Sequence, residues 1–491
     1  MSEKCIPIIG LEIHAELKTK TKMFSRSLNN PDQEQPNSII DPVNMAHPGT
    51  LPVINKKAVE HMVRIGLAVG GEIANFTEFD RKNYFYPDIP KGYQISQYKY
   101  PIVSGGKLGG VKLTRIHLEE DTGTSKHFDK DGGYSLIDFN RAGVPLMELV
   151  TEPVIYDAAT AGTFGKELQL LLRYLGAGDA NLEKGEMRVE VNISVLKTDK
   201  TPEELFDMYE NDNDAYMAML GTKVEVKNIN SFKAAEKAAL YEFDRMVKLI
   251  EAGKGDEIVQ ETRGWDDPSG TTKSQRAKES AHDYRYFPDP DLPKLYLHEL
   301  FDLDKEKSEL PELPWEKRAR YQKDYKLLAE STEMFVQDKA LAEYFETIAD
   351  SLGDKKLITT ASNYITSDFV GLQKENPVLQ LPETGAFITL MQMIGKGDLN
   401  SRGAKDLLAI LVTEGGDPQK IAEEKGLIQK NDPEALKKIA QQVIDENPDA
   451  VKQYKDGNEN IIKFLMGNVM KASKGSANPQ MAEQALVDLM K

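Results

Sequence analysis

Glu12, His14 and Glu16 alternate with Leu11, Ile13, Ala15 and Leu17. Successive side chains of a strand point to opposite faces, so this spacing predicts one apolar face and one face carrying two carboxylates and an imidazole. The same alternation sets Arg188, Glu190, Asn192 and Ser194 against Val189, Val191, Ile193 and Val195. It also sets Glu225 and Lys227 against Val224 and Val226. Taken singly, each polar face is compatible with the wet outer surface of an antiparallel sheet. Two segments resist that reading. Arg115-Ile116-His117-Leu118-Glu119-Glu120-Asp121 sets three consecutive carboxylates beside a histidine, and these repel one another unless a cation sits among them. Glu148 interrupts the apolar run Val144 to Val150, where a carboxylate must be paired or bind a metal to offset its desolvation.

Carboxylate oxygens with one imidazole suit a hard divalent cation, and Mg²⁺ is usually held by one or two carboxylates together with substrate phosphates. The candidate metal ligands are Glu12, His14, Glu119, Glu120 and Glu148. Alternation puts Glu119 with His117, a bulge would turn Glu120 to that side instead, and the sequence leaves both open. Phosphates also need fixed positive charge. Arg81 and Lys82 supply it within Phe79 to Asp88, among aromatic residues that could order the loop or stack on a base, and Arg188 is a third candidate. The chemistry this suggests is phosphoryl transfer, with Glu12, Lys82 and Glu148 as the candidate catalytic residues. There is no Gly-rich phosphate loop ending in Lys and Ser/Thr, no dinucleotide fingerprint and no protein-kinase signature set, so a nucleotide site here is of an unusual kind.

The elements that must position these residues fall into two regions, an α+β organisation. From Ile6 to about Pro293, Gly, Pro and short alternating runs predict a sheet-rich domain, with helical patterns at Ala58 to Ala68, Ala158 to Tyr174 and Ser231 to Glu251. Phe287 to Pro293 contains three prolines, which lack amide donors, and the boundary is placed there. Beyond it, apolar spacing of period 3.6 predicts helices in Trp315 to Leu328, Ala361 to Leu372, Thr389 to Ile394 and Ala435 to Ile444. Glycine-rich breaks at Gly395 to Gly397 and Gly415-Gly416 divide this part, the second a hinge before a smaller terminal unit. The expected domains are 1–293, 294–412 and 413–491.

The 491 residues suffice for about three such units. Lys and Arg number 62 against 79 Asp and Glu, a net charge of −17, which argues against a protein whose whole surface grips nucleic acid. Basic groups must then cluster locally, as around Lys82, Arg188 and Lys471 to Lys474. A single cysteine, Cys5, excludes an intramolecular disulfide and a cysteine-based zinc site. No apolar run is long enough to cross a bilayer and no signal peptide is visible, so a cytoplasmic protein is expected.

At these same residues the sequence resembles the GatB family, the B subunits of aspartyl/glutamyl-tRNA(Asn/Gln) amidotransferases. The matching segments are Ile9 to His14, Phe79 to Tyr86 with Pro90 to Gln97, His117 to Asp121, Asp138 to Leu146, Val226 to Ser231, Asp283 to Pro288 and Lys471 to Gln480. They span nearly the whole chain in family order. The resemblance implies a cradle-shaped N-terminal domain with a kinase-like site, a helical domain, and a small YqeY-like tail that contacts tRNA. It implies that Glu12, His14, one or both of Glu119 and Glu120, and Glu148 match the metal-dependent site, and that Lys82 matches a lysine important for activation. ATP and Mg²⁺ would phosphorylate the side-chain carboxylate of Glu-tRNA(Gln) or Asp-tRNA(Asn) before ammonia converts it to the amide, the work of a carbon–nitrogen ligase with glutamine as amido donor.

The sequence holds no catalytic cysteine candidate other than the near-terminal Cys5 and no Gly-rich Ser-Ser stretch resembling an amidase signature, so the resemblance implies partners: an amidase A subunit, a small C subunit and the misacylated tRNA. The alternative function is a non-catalytic tRNA-binding scaffold whose carboxylates only shape a groove. One stretch departs from the family pattern: Leu196 to Leu220 is longer and more acidic than the expected short link, and reads as a surface loop with a helical turn. Lys471-Ala472-Ser473-Lys474-Gly475 reads as a helix end with basic residues near tRNA.

Overall fold

The computed structural model describes residues 4–32, 35–128, 133–277, 284–429, 433–456, 458, 460–473, 477 and 479–490. The chain divides into two compact units, Met1–Pro314 and Trp315–Lys491. No helix among the described residues is long and apolar enough to cross a membrane. The architecture is α+β, with the strands in the first unit and the second unit built of helices.

The alternating runs form the strands β1 (Lys4–Glu16), β2 (Asp80–Asn83), β3 (Tyr93–Ser96), β4 (Val111–Glu120), β5 (Pro145–Thr151), β6 (Met187–Thr198), β7 (Val224–Ile229), β8 (Glu261–Asp266) and β9 (Thr271–Ala277). One ten-stranded sheet runs in the order β9-β8-β7-β6-β1-β5-β4, followed by the short strands Val103–Ser104 and Glu72–Ile73, with Lys107–Leu108 paired to β4. Its pairings are antiparallel except for β7 with β8. β1 therefore lies inside the sheet, bonded to β5 on one side and β6 on the other. Leu11, Ile13 and Ala15 are buried on its apolar face, as the alternation predicts.

The helices α1 (Lys56–Ala68), α2 (Ala158–Tyr174), α3 (Pro202–Asn211), α4 (Asn213–Met219) and α5 (Phe232–Glu251) complete the main elements of this unit. All five start where side-chain oxygens satisfy first-turn amides: Asn55 accepts from Lys57 and Ala58, Asp157 from Thr160, Thr201 from Glu204, Asp212 from Ala215, and Ser231 from Ala234. α5 packs on β6 and β7, and α2 packs on α5 and β1. The α2–α5 approach depends on Gly165, where a Cβ would lie 2.6 Å from the Phe232 ring.

The acidic stretch 196–220 is more than a surface loop. It forms α3 and α4, and Leu205 and Tyr216 are fully buried in a small core with Ile6, Ile8 and Leu196. The proline-rich stretch does not end the first unit either. Phe287–Pro288 pairs with Arg81 and Asp80 in a three-stranded sheet with β2 and β3, and Leu295–Tyr296 pairs with Thr77 and Phe76. Prolines at a sheet edge cost no ladder bond, which is why this segment is extended and paired.

In the second unit the helical segments expected from periodicity are present. Pro314–Asp324, Thr384–Lys396 and Pro433–Glu446 are α-helices, and the segment at 361–372 runs through a π-helical stretch, Tyr364–Phe369, between Lys355–Asn363 and Val370–Glu375. One apolar cluster runs from Tyr321 to Ala422 and a second from Leu436 to Met490. Gly415-Gly416 is thus a turn within the first cluster, since Ala422 beyond it belongs there. Lys471 and Ala472 end the helix Ile461–Ala472. Lys474, Gly475, Ser476 and Asn478 of the terminal block, and Asp283 of the earlier one, lie outside the described residues.

Candidate functional site

Directly opposed residues of antiparallel strands bring their Cβ atoms to about 4.5–5.5 Å. Across the sheet, His117 of β4 stands opposite Glu148 of β5, Glu148 opposite His14 of β1, and His14 opposite Arg188 of β6. A polar band so crosses four strands. Two residues along β1, Glu12 faces Glu190 of β6, and two residues along β4, Glu119 joins the same face as His117.

Glu148 is the hub of the band. Its Oε2 lies 3.3 Å from Nε2 of both His14 and His117, and Arg115 Nη2 lies 3.5 Å from its Oε1. Glu119 reaches the same imidazoles at 3.7 and 3.9 Å and accepts a 2.9 Å hydrogen bond from Ser96 Oγ. Glu148 and Glu119 are buried. Desolvation would push the Glu148 carboxyl up, yet His117 and His14 outweigh it and hold it well below the usual carboxylate range. Burial would lower the His14 imidazole, but Glu148, Glu119 and Glu190 push it up to about 9. Glu12 is pushed up to about 7 by burial, then by Glu148 and Glu190.

One donor atom each from Glu12, His14 and Glu148 lies within 4.8 Å of the others, and the same holds for His117, Glu119 and Glu148 and for Glu12, Glu190 and Glu225. The donors are carboxylate oxygens and imidazole nitrogens, the set a hard divalent cation takes. Lys227 already sits among the third group, with Nζ 2.9 Å from Glu190 Oε2 and 4.0 Å from Glu225 Oε1.

Of the residues expected from the sequence, Glu12, His14, Glu119 and Glu148 converge. Lys82 on β2 faces them: burial would lower its ammonium, but Glu119 foremost, and Glu148 after the nearby tyrosines, hold it above its ordinary value. Glu120 is placed elsewhere. β4 and β5 keep their register through Glu119 and Glu120 without a bulge, so consecutive side chains diverge. The Glu120 carboxylate pairs with Lys91 and accepts from the Ile95 amide at 3.0 Å. Arg81 diverges from Lys82 for the same reason. Its Nε lies 2.7 Å from Asp289 Oδ2 and its Nη2 3.2 Å from Asp291 Oδ2, with the Tyr93 ring 4.5 Å away. Arg188 stands at the edge of the band, its Nη2 donating to both oxygens of Asp121 at 3.0 and 3.1 Å.

His117, Glu190, Glu225 and Lys227 join the site without being among the residues expected there. The signal for each is present as local alternation; their convergence comes from strand pairing between segments far apart in sequence.

Comparison with known proteins bears on what this arrangement does. The family model described as the GatB/GatE catalytic domain matches residues 7–301, and the one described as the GatB domain matches residues 343–490. Curated proteins named as the B subunit of aspartyl/glutamyl-tRNA(Asn/Gln) amidotransferase are similar over the full length. One from Thermodesulfovibrio yellowstonii is 41% identical over 501 residues, covering 99% of each chain. One from Persephonella marina is 40% identical over 501 residues with the same coverage, and one from Thermoanaerobacter pseudethanolicus is 41% identical over 490 residues, covering 98% of each.

Proposed function

The chain belongs to the GatB/GatE family, and from that premise we propose that it is the subunit of a tRNA-dependent amidotransferase that activates the side-chain carboxylate of Glu-tRNA(Gln) or Asp-tRNA(Asn) with ATP. The observation that carries this reading is the buried band in which Glu148 is shared by His14 and His117 beside Glu119, Glu12 and Lys82.

A carboxylate resists ammonia because its charge is delocalised and its leaving group would be oxide. In this reading a carboxylate oxygen attacks the γ-phosphorus of ATP, the bond to the bridging oxygen breaks, and ADP departs with the electron pair. Ammonia then adds to the acyl carbon, phosphate leaves, and the ammonium proton passes to a base. Glu12, His14, Glu119 and Glu148 would hold a divalent cation, Mg²⁺ in this reading; their hard oxygens and the buried, unpartnered Nδ1 atoms of His14 and His117 fit such a ligand set. When bound, the cation supplies neutralisation of charge on the phosphates. Lys82 binds phosphate oxygens with a fixed ammonium, and Arg188, held by Asp121, adds positive charge at the edge. Glu119 and Glu148 are themselves buried, so the charges they would direct at the phosphates act with little screening by bulk water.

The ammonia comes from glutamine on a partner amidase A subunit, with a small C subunit completing a cytoplasmic assembly. The terminal helices near Lys471 contact the tRNA.

The test supplies the assembled enzyme with ATP, Mg²⁺ and misacylated tRNA but no ammonia donor, then adds hydroxylamine. ADP release together with a side-chain hydroxamate is expected. A hydroxamate formed without ATP, or ADP released without one, overturns the reading.

A further inference from the structure

β4 is bonded to β5 along one edge as far as Glu120. On its other edge, the short strand Val103–Ser104 pairs with Ile116 and Arg115. Beyond Ile116 this edge faces β3, which belongs with β2 to a separate sheet. Leu118 and Glu120 are buried there. Alternate residues of a strand turn their N–H and C=O toward the same edge, and such groups are costly when buried without partners.

Two glutamine side chains stand where a neighbouring strand would. The Leu118 amide donates to Gln97 Oε1 at 2.9 Å, and Gln94 Nε2 donates to the Glu120 carbonyl at 2.7 Å. A carboxamide offers an acceptor oxygen and N–H donors, the groups of a peptide unit without its chain. The far ends of both amides are fixed as well. Gln97 Nε2 donates to the buried Thr77 hydroxyl, and Gln94 Oε1 accepts from the Tyr84 hydroxyl at 3.3 Å. Both glutamines are buried, so these bonds do not compete with bulk water.

Lys82 stands directly opposite Gln94 in the β2–β3 pairing, so the two side chains share a face. Ser96, two residues further along β3, shares that face and donates to Glu119 Oε2 at 2.9 Å. The sheet that carries Lys82 is thereby tied to the strand that carries Glu119.

We propose that Gln94 and Gln97 are positioning residues of the phosphate-handling site: their amides bond the outer edge of β4 in place of a strand and so set the separation of Lys82 from Glu119. The inference rests on the reading of Lys82 as a phosphate ligand.

The test measures Mg-ATP affinity of the assembled enzyme in Gln97→Met and Gln94→Asn, each alone and in a Lys82→Met background. Hydrogen exchange at the Leu118 amide and denaturation midpoints are read alongside. Gln94→Asn removes one methylene and withdraws the amide from Glu120, which keeps the question open should Gln97→Met not fold. Loss of a supporting partner at such sites costs about 10–100-fold, so each variant should bind Mg-ATP at least about tenfold more weakly, with faster exchange at Leu118 in Gln97→Met. In the Lys82→Met background the same changes should cost nothing further. Equal losses in both backgrounds overturn the proposal, because the amides would then act on the fold at large. Unchanged affinity beside a faster-exchanging Leu118 overturns it too. A Lys82→Met enzyme that binds Mg-ATP as tightly as the wild type removes Lys82 from the phosphates, and the underlying reading falls together with the role of the glutamines.

Discussion

His14 and Glu148 stand directly opposite each other on adjacent antiparallel strands, and the imidazole Nε2 lies 3.3 Å from the carboxylate Oε2. Because Glu148 makes the same contact with His117 on its other side, one oxygen is shared by two strands' histidines. Glu148→Gln keeps the shape and removes the charge. Loss of even an outer partner at such sites costs about 10–100-fold, so a loss of at least about a hundredfold in ATP-dependent activation is expected. tRNA affinity should be largely retained, as a binding assay with misacylated tRNA would show. Equal loss of both would favour a scaffold role.

Arg81 and Lys82 are adjacent in sequence and separate in role. Arg81 pairs with the fully buried Asp289 carboxylate, so Arg81→Ala should lower stability by about 2–3 kcal/mol, read as a drop in denaturation midpoint. Lys82→Met should leave the midpoint close to wild type and abolish activation. The opposite pattern would assign Arg81 to the phosphates.

Lys22 is fully buried and donates to the carbonyl of Ile39 at 2.8 Å. Burial holds its ammonium down to about 8, against the pull of Asp41, Asp138 and Glu120, from an ordinary value of 10.5. Between those values the unfolded chain keeps a proton that the folded chain has released, so stability rises with pH across that window and is flat below it. Because His14 titrates in the same window with the opposite sign, the readout is a difference: between about pH 7.5 and about pH 10, denaturant midpoints of the wild type should gain on the order of 1–3 kcal/mol relative to those of Lys22→Met.

Gly165→Ala forces a Cβ to within 2.6 Å of the Phe232 ring, and overpacking of this kind costs about 1–3 kcal/mol. The same substitution in a Phe232→Ala background should cost markedly less. A double-mutant cycle with no coupling would mean that the α2–α5 contact tolerates the methyl group.

Strand alternation makes much of the site legible. Glu12 and His14 share a face by spacing alone, and Glu148 stands out because a carboxylate in an apolar run needs a partner. The same rule, followed strictly, separates Glu119 from Glu120 and Lys82 from Arg81, since consecutive side chains in an unbulged strand diverge. Glu190, Glu225 and Lys227 are visible as a polar face, but not as neighbours of Glu12. Which strand lies beside which is set by packing between segments nearly 180 residues apart, as in the pairing of Glu12 with Glu190. The helix at 202–211 does carry a local signal. Thr201, Pro202 and Glu204 form a capping box with proline in the first turn, and the acidity of the stretch masks it.

The position of β1 inside the sheet also governs the order in which the protein can be made. Its two edges wait for β5 and β6, whose last residues are Thr151 and Thr198. Until the ribosome has delivered about 200 residues, the strand bearing Glu12 and His14 exposes unpaired backbone, the condition in which nascent chains associate wrongly. Pairing of such high sequence separation is slow, so the stretch of synthesis between these segments is when a chaperone would matter most.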